Sequence, residues 1–326
     1  MYIVVTGGLG FIGSNFIRQM LSEYKDIFIT NIDAETYAGK KDNLIDVEKN
    51  KNYQYFKGNI QDYAFIENLL KTYSPDIIIN FAAETHVDNS IKASQPFIET
   101  NIVGTHVLLE TAFRQKVKKY IQISTDEVYG SIEPPHKFSE TSPIKPNSPY
   151  SASKASADHL VRAYNKTYGL NTMTIRCSNN FGPYQFPEKV IPYFISLALE
   201  NKNLPVYGDG LNVRDWIFVN DFCGAISVIL EKGKNGEIYN VGGNHELTNI
   251  ELTKMVLKRL GKDEDLISFV KDRLGHDRRY AMDTSKISAL GWKEKHSFDE
   301  GLDITINWYK NNKAWIDRRI KAIAIN

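Results

Sequence analysis

The sequence predicts an α/β protein whose larger part is a doubly wound parallel sheet and whose smaller part is a mixed α/β lobe. In the first half, short apolar runs of strand length alternate with longer segments whose apolar residues have helical spacing. The apolar runs are hydrophobic almost throughout, which is typical of parallel strands buried on both faces. Because crossovers between parallel strands are right-handed, the intervening helices should cover both faces of one sheet.

Six strands and four helices are predicted in this first half. A glycine-rich turn ends the first strand, and Pro75 precedes the fourth. The predicted strands are Tyr2–Thr6, Ile27–Ile32, Tyr53–Lys57, Asp76–Phe81, Lys119–Ser124 and Asn171–Arg176. The predicted helices are Phe11–Glu23, Tyr63–Thr72, Gln95–Gln115 and Tyr150–Tyr168.

The second half is less regular, because several prolines interrupt it. Its clearest predicted helices are Leu247–Leu260 and Phe298–Lys310. The basic segment Lys310–Lys321 is interpreted as a solvated helix face. We expect residues 1–176, joined by part of 215–240, to form the larger domain, and residues 177–326 to form a lobe over the carboxyl edge of the sheet.

Composition excludes several classes of function. Forty basic residues against 39 acidic ones give a net charge of +1, so no overall basic field favours nucleic acid. Cys177 and Cys223 form no metal-binding motif and favour two reduced, buried thiols. The chain enters its first turn without an apolar leader. We therefore expect a cytoplasmic protein without a metal, a membrane segment or a nucleic-acid partner.

The turn after the first strand has the spacing of a dinucleotide-binding fingerprint. Gly7, Gly10 and Gly13 stand between a predicted strand and a predicted helix, and Asp33 ends the next strand. Glycines let backbone N–H groups approach a pyrophosphate, and an acid at that distance accepts ribose hydroxyls. The pattern predicts a Rossmann domain that binds NAD rather than NADP; the alternative is an ordinary turn with a surface aspartate. Further residues expected beside the cofactor are Asn59, Ile60, Ala82 and Ala83.

Tyr150 and Lys154 are four residues apart and share one face of a predicted helix. A phenol is a poor base at neutral pH, but a nearby ammonium group and a positively charged nicotinamide favour its ionised form. This spacing also occurs by chance on surface helices. Beside a dinucleotide turn, it predicts a catalytic base.

Thr125, Asp126 and Glu127 follow an apolar strand, at the edge where open α/β sheets bind ligands. A threonine hydroxyl can bind a substrate hydroxyl. Two adjacent carboxyl groups can act as acid and base if their environments separate their pKa values, as a water elimination requires. A solvated acidic turn or a helix cap is an equally acceptable interpretation.

Together these residues resemble the dTDP-glucose 4,6-dehydratase family, within the extended short-chain dehydrogenase/reductase superfamily. The resemblance covers nearly the whole chain, and the Thr-Asp-Glu triplet is its most specific element. The matching segments are TGGLGFIGS, AAETHVDNSI, STDEVYG, YSASKAS, CSNNFGPYQFPEK, RDWIFVND and DRLGHDRRYAMD.

The resemblance assigns roles residue by residue. The catalytic positions are Thr125, Asp126, Glu127, Tyr150 and Lys154. The NAD-contacting positions are Phe11, Ile12, Asp33, Thr36, Asn59, Ile60, Ala82, Ala83, Thr100 and Asn180, together with Tyr150 and Lys154. The positions that hold the nucleotide sugar are His86, Thr125, Asn179, Lys189, Val190, Pro205, Tyr207, Arg214, Asn249, Arg273 and His276.

The resemblance also implies a reaction and an assembly. Oxidation of dTDP-glucose at C4, loss of water across C5 and C6, and return of the hydride to C6 would give the 4-keto-6-deoxy sugar. A homodimer is expected by analogy. Three alternatives stay open: a nucleotide-sugar 4-epimerase, a 4,6-dehydratase of another nucleotide sugar, and a non-catalytic NAD-responsive protein on the same fold.

Overall fold

The computed structural model describes residues 1–272 and 274–325, with side chains through residue 320. The strands are β1 (Tyr2–Thr6), β2 (Phe28–Asp33), β3 (Tyr53–Lys57), β4 (Ile77–Asn80), β5 (Lys119–Thr125), β6 (Thr172–Cys177), β7 (Asn179–Phe181), β8 (Leu204–Tyr207), β9 (Val213–Phe218), β10 (Ile238–Val241), β11 (Glu246–Thr248) and β12 (Ile267–Val270). The helices are α1 (Phe11–Glu23), α2 (Tyr63–Tyr73), α3 (Val87–Lys92), α4 (Gln95–Phe97), α5 (Thr105–Arg114), α6 (Pro149–Tyr168), α7 (Val190–Leu199), α8 (Val219–Lys232), α9 (Asn249–Leu260), α10 (Ser285–Ala289), α11 (Phe298–Asn311) and α12 (Lys313–Ile325).

Seven strands form one parallel sheet in the order β10-β6-β5-β4-β1-β2-β3. The chain winds outward from β1 in one direction and from β4 in the other, so the strand order reverses between these two neighbours. Ligands bind at such a switch point in open α/β sheets. The doubly wound fold is therefore confirmed, and each of the six predicted strands ends within one residue of its prediction.

Helices cover both faces of this sheet, as the apolar strands require. On one face, Phe16 of α1 and Phe222 of α8 belong to the larger hydrophobic core. On the other face, Leu69 of α2, Leu108 of α5 and Val161 of α6 pack with β4 and β5 residues in a second core. Burial on both faces explains why the strands carry so few polar residues.

The predicted helix over residues 95–115 is present, but its middle is not α-helical. A π-helical segment, Ile98–Gly104, joins α4 to α5. Asn101 is buried in this segment, where its side chain donates to the Ser153 hydroxyl at 2.8 Å and to the Glu84 carbonyl oxygen at 3.0 Å. The wider turn thus brings a polar side chain against α6 and the end of β4.

The prediction that a helix begins at Leu247 was wrong. Leu247 lies in β11, which pairs with β9, and α9 begins at Asn249. Thr248 and Glu251 form a capping box, in which the Thr248 hydroxyl accepts from the Glu251 N–H and the Glu251 carboxylate accepts from the Thr248 N–H. This reciprocal cap fixes the helix start more strongly than the apolar spacing does.

The second half builds the smaller lobe from a three-stranded sheet, β11-β9-β7, and a two-stranded sheet, β12-β8. Two of its elements belong to the large domain instead, because α8 packs on α1 and β10 pairs with β6. We propose the main boundary near residue 176, with α8 and β10 returning to the large sheet.

The basic tail is only partly a solvated helix face. Trp315, Ile316 and Arg319 of α12 are buried. The Trp315 indole N–H donates to the Asn43 side-chain oxygen at 2.9 Å, and the Arg319 guanidinium donates to the same oxygen at 3.0 Å. The prediction counted the charges of this segment and missed its apolar and aromatic side. In the described part of the chain, no helix combines the length and apolar character needed to span a bilayer.

Candidate active site

A cleft of about 330 Å³ opens at the carboxyl ends of the central strands. Every described residue predicted to contact the cofactor lines it, and so do all five predicted catalytic residues. These lining residues are Gly7, Gly10, Phe11, Ile12, Gly13, Asp33, Thr36, Asn59, Ile60, Ala82, Ala83, Thr100, Thr125, Asp126, Glu127, Tyr150, Lys154 and Asn180. Residues far apart in sequence are thus brought to one place by the parallel strands.

The glycine-rich turn is too tight for side chains. Gly7 has a φ of +71°, and a Cβ added there would lie 2.6 Å from the Ala82 backbone. A Cβ at Gly13 would lie 2.6 Å from the Gly7 carbonyl oxygen. Gly10 precedes α1 and provides no side-chain cap. The first N–H groups of α1 therefore face the cleft, with the partial positive charge that binds a pyrophosphate.

Asp33 ends β2 beside this turn and is 8% exposed. One carboxylate oxygen accepts from the Leu9 N–H at 2.9 Å and the other from the Glu35 N–H at 2.8 Å. Burial raises the pKa of Asp33, and the two backbone donors oppose this. Because each carboxylate oxygen can accept a second hydrogen bond, Asp33 can still hold ribose hydroxyls.

The cleft also carries buried oxygens that lack a partner among the described residues. Five of its lining residues have such side-chain oxygens: Ser124, Asp126, Ser178, Asn180 and Gln185. Unpaired buried polar atoms are costly and rare in folded proteins. With the glycine cradle and Asp33, they show that these residues fit an extended dinucleotide with a polar ligand beside it.

Tyr150 and Lys154 lie near the start of α6, which a Ser148–Ser151 capping box fixes. Both side chains are buried, at 7% and 5% exposure. The Lys154 ammonium donates to the Ile123 carbonyl oxygen at 2.7 Å, which anchors it to β5. Burial lowers the pKa of Lys154, and the Asp158 carboxylate one turn later opposes this.

The expectation that Lys154 lowers the pKa of Tyr150 is not met by the protein groups alone. The pKa of Tyr150 lies well above its usual value, chiefly because of burial and then because of the nearby Glu127 charge. A hydrogen bond with Thr125 acts in the opposite direction. The Lys154 ammonium is turned toward the β5 backbone, so any lowering must come from a positive charge bound in the cleft.

The acid pair occupies a 3-10 turn, Asp126–Tyr129, directly after β5. The Thr125 hydroxyl accepts from the Glu127 N–H at 3.3 Å and donates to Asp126 Oδ1 at 3.1 Å. Asp126 is 2% exposed, and its pKa is raised well above the usual range by burial and by the Glu127 charge. Thr125 thus does cap the turn, but a solvated turn is the wrong interpretation, because Asp126 is buried and its pKa is raised.

Comparison with known proteins identifies the family. Residues 4–305 match the family model described as GDP-mannose 4,6 dehydratase. The chain is 48% identical to the dTDP-glucose 4,6-dehydratase of Xanthomonas campestris pv. campestris, over 96% of this chain and 94% of the relative. A crystal structure of DesIV, the dTDP-glucose 4,6-dehydratase of Streptomyces venezuelae, with NAD and TYD bound, superposes with a TM-score of 0.95 at 45% identity, over 98% of this chain and 100% of that one.

The chain belongs to the dTDP-glucose 4,6-dehydratase family. The fold alone would not have decided this, because a Thermus thermophilus UDP-glucose 4-epimerase in complex with NAD superposes with a TM-score of 0.89 at 29% identity, over 96% of this chain. The distinction from epimerases depends on the identity and on the acid turn, not on the shared architecture.

Only part of the predicted sugar-nucleotide set lines the main cleft in this dehydratase. Thr125, Asn179 and Lys189 line it, whereas the remaining described residues of the set lie outside its lining. Those outside are His86, Val190, Pro205, Tyr207, Arg214, Asn249 and His276. Arg273 lies outside the described residues.

Several of the outlying residues form a second group in the smaller lobe. Arg214 is buried, donates to the Asp277 carbonyl oxygen at 2.9 Å and lies 4.3 Å from the centre of the Tyr280 ring. The rings of Tyr207 and His276 have centroids 6.3 Å apart. Arg214 lies near enough to lower the pKa of Asp126, so this group adjoins the acid turn.

Sequence reasoning missed an acidic rim around the cleft. Glu84 and Glu188 both line it, and burial together with the Glu188 charge raises the pKa of Glu84. The Tyr37 hydroxyl donates to Glu188 at 2.9 Å, and the Lys189 ammonium donates to the Thr85 carbonyl oxygen at 3.0 Å. Glu84 follows Ala83 in the sequence and Glu188 precedes Lys189, and both of these neighbours were predicted site residues. Nothing in the sequence, however, predicts the contact between Tyr37 and Glu188.

Proposed function

We propose that this protein converts dTDP-glucose to dTDP-4-keto-6-deoxyglucose and water, with tightly bound NAD as its cofactor. One observation carries the proposal: a buried Asp126, with its pKa raised well above the usual range, stands beside Glu127 in the same cleft as Tyr150 and Lys154. A dehydration needs a proton donor for the departing hydroxyl as well as a base, and this arrangement supplies both.

Oxidation at C4 requires a base for the C4 hydroxyl proton. When bound, NAD accepts the hydride from C4 and later returns it to C6, and its positive charge favours ionisation of Tyr150. Tyr150 takes the hydroxyl proton, and the Thr125 hydroxyl orients the same oxygen. Lys154, held on the β5 backbone, contributes its positive charge and a donor for the nicotinamide ribose.

Elimination uses the acid turn. The C4 ketone makes the C5 hydrogen acidic, and Glu127 removes it. Asp126 protonates the C6 oxygen from its partnerless oxygen, Oδ2, so that water leaves. After the hydride returns to C6, Glu127 gives its proton back to C5. The two carboxyl groups can play opposite roles because burial keeps Asp126 protonated.

The nucleotide end is assigned to the smaller lobe. Guanidinium groups match phosphate oxygens in a forked geometry, which suits Arg214 and Arg273 to the diphosphate. Tyr207 is 40% exposed, its ring centroid lies 6.3 Å from that of His276, and an aromatic ring of this kind suits a nucleobase. The names of the relatives support thymine as that base.

The test is to incubate the purified protein, without added cofactor, with dTDP-glucose, UDP-glucose or GDP-mannose. We expect the alkaline absorbance band of a 4-keto-6-deoxy sugar from dTDP-glucose alone, and its loss in an Asp126→Asn/Glu127→Gln variant. Conversion of UDP-glucose to UDP-galactose, with no product from dTDP-glucose even after NAD is added, would instead assign a 4-epimerase.

We further propose a cytoplasmic homodimer. Exposed apolar residues of α5, α6 and the adjoining π segment support a contact between copies, since Ile98, Val103, Phe113 and Tyr168 are between 39% and 50% exposed. Light scattering after size-exclusion chromatography should give twice the 37.2 kDa chain mass. A Val103→Lys variant that stays dimeric would place the contact elsewhere.

A further inference from the structure

The proposed reaction leaves the enzyme with two protonation states to restore. Tyr150 gains the C4 hydroxyl proton, and Asp126 loses a proton to the departing water, while Glu127 takes one proton from C5 and returns it. At the end of each cycle, Tyr150 therefore holds one proton more than at the start and Asp126 one fewer. A second cycle cannot begin until a proton has passed from the phenol to the carboxylate.

One side chain joins these two groups. The Thr125 hydroxyl donates to Asp126 Oδ1 at 3.1 Å, and it lies close enough to the Tyr150 phenol to lower the pKa of that phenol by hydrogen bonding. It accepts from the Glu127 N–H at 3.3 Å as well. A hydroxyl has one donor and two acceptor positions, and the donor position of Thr125 is taken by Asp126. Its proton therefore points at Asp126, and its oxygen can accept another proton from the side of Tyr150.

Exchange with solvent is a poor alternative route. Tyr150 is 7% exposed and Asp126 2% exposed before any ligand fills the cleft. The Lys154 ammonium donates to the Ile123 carbonyl oxygen, and among the described residues it makes no hydrogen bond to Tyr150 or Asp126. A bound cofactor and sugar would cover Tyr150 and Asp126 further.

We propose that Thr125 returns the proton directly from Tyr150 to Asp126 and so resets the active site within each turnover. The Tyr150 O–H bond breaks as its proton joins Thr125 Oγ, while the original Thr125 proton forms a bond with Asp126 Oδ1. Tyr150 becomes a phenolate, Asp126 becomes neutral and Thr125 is unchanged. No oxidant or further reactant is needed, and this inference rests on the proposed function.

The two carboxyl oxygens of Asp126 have different roles in this proton transfer. Oδ1 faces Thr125 and receives the returning proton, whereas Oδ2 is buried with no partner among the described residues. A half-turn of the carboxyl group about its Cβ–Cγ bond moves the new proton to the side that protonates the sugar. Thr125 therefore serves Asp126 as well as Tyr150.

The experiment compares Thr125→Val, which removes the hydroxyl, with Thr125→Ser, which keeps it. Rapid-quench measurements on dTDP-glucose follow the first and later turnovers, and the dTDP-pentose that lacks C6 reports C4 oxidation alone through absorbance of the reduced cofactor. Thr111→Val is the matched control, because it removes another buried threonine hydroxyl, bonded to the Val107 carbonyl oxygen at 2.7 Å, outside the cleft lining.

We expect Thr125→Val to make about one product per site and then to slow on the order of 10²-fold relative to wild type, because proton transfer to Asp126 must go through solvent. Its C4 oxidation of the pentose should be faster than this steady turnover. Thr125→Ser and Thr111→Val should show no burst.

Equal rates of pentose oxidation and steady turnover in Thr125→Val, with no burst, would overturn the relay, since Thr125 would then act in oxidation alone. Failure of the proposed function looks different: wild type itself would then give no 4-keto-6-deoxy product from dTDP-glucose.

Discussion

Asp126 shows how a single residue can be costly for stability and suited to acid catalysis. Its carboxyl group is buried at 2% exposure, next to the Glu127 charge, and one of its oxygens has no partner in the described structure. A carboxyl whose pKa is raised by folding stabilises the fold at low pH and loses that contribution as pH rises through its folded pKa. The residue is retained because it is an acid at neutral pH.

We therefore expect Asp126→Asn to separate stability from activity. The amide is uncharged and of similar size, so the free energy of unfolding should equal or exceed that of wild type, with the difference growing from pH 6 to pH 8. Turnover should fall by about 10²- to 10⁴-fold, while dTDP-glucose still reduces the bound cofactor. Urea unfolding at pH 6 and pH 8 measures the free energy of unfolding, and absorbance of the reduced cofactor measures oxidation of dTDP-glucose. A variant that is less stable than wild type at both pH values would contradict a raised pKa for Asp126.

Glu127 should control the ionisation of Tyr150. Its negative charge raises the pKa of the phenol, so Glu127→Gln should lower that pKa. The phenolate then forms at lower pH, and the acid limb of the C4-oxidation profile should move to lower pH when the dTDP-pentose is the substrate. If the acid limb of the pH profile stays at the same pH in Glu127→Gln, another charge sets the pKa of Tyr150. Glu110→Gln, on the outer side of α5, is the control.

At the scale of elements, a buried ion pair connects the Tyr150 helix to the acid turn. Arg176 of β6 donates to Asp158 of α6 at 2.9 Å and to the hydroxyl of Tyr129, the last residue of the 3-10 turn, at 2.8 Å. The Tyr129 hydroxyl in turn donates to Asn240 of β10 at 2.8 Å. Four elements around the catalytic residues thus share one polar network.

Removing one partner of this pair should be far more costly than removing an exposed one. Arg176→Met leaves Asp158 buried and uncompensated, so we expect a loss of about 3–5 kcal/mol in the free energy of unfolding. The exposed pair Arg278–Asp209 has a similar distance, 2.8 Å, and Arg278→Met should cost far less, because solvent screens both charges. Chemical unfolding compares the two, and equal losses would show that burial is not decisive here.

At the scale of the whole molecule, the C-terminal helix supports the start of the chain. Trp315 and Arg319 of α12 both donate to the side-chain oxygen of Asn43, and the Asn43 amide donates to the Leu9 carbonyl oxygen at 2.8 Å. Leu9 belongs to the glycine-rich turn. The last helix therefore holds the cofactor turn through one buried asparagine.

This connection predicts an effect of a remote substitution on the cofactor. Trp315→Phe keeps an aromatic ring but removes the N–H that binds Asn43, so bound NAD should dissociate faster than from wild type. Trp292→Phe is the matched control, because its indole donates to the Asp221 carbonyl oxygen at 3.2 Å, outside the cleft lining. NAD retained after gel filtration measures the effect, and equal retention in both variants would refute the connection.

The sequence by itself determined the sheet and the glycine turn and predicted the candidate catalytic set, because each depends on local signals. Apolar runs specify strands buried on both faces, and Tyr150 and Lys154 share a helix face through a spacing of four residues. The Thr248 capping box was also present in the sequence, and the misplaced start of α9 came from following apolar spacing instead.

Tertiary structure alone decided which distant groups meet and in what protonation state. The pKa of Asp126 depends on burial by several elements, and the direction of the Tyr150 shift depends on burial and on the nearby Glu127 charge. The contacts of Trp315 with Asn43 and of Tyr37 with Glu188 join residues 272 and 151 positions apart. Desolvation and through-space charge act over distances in the folded molecule, whereas sequence patterns report only neighbours along the chain.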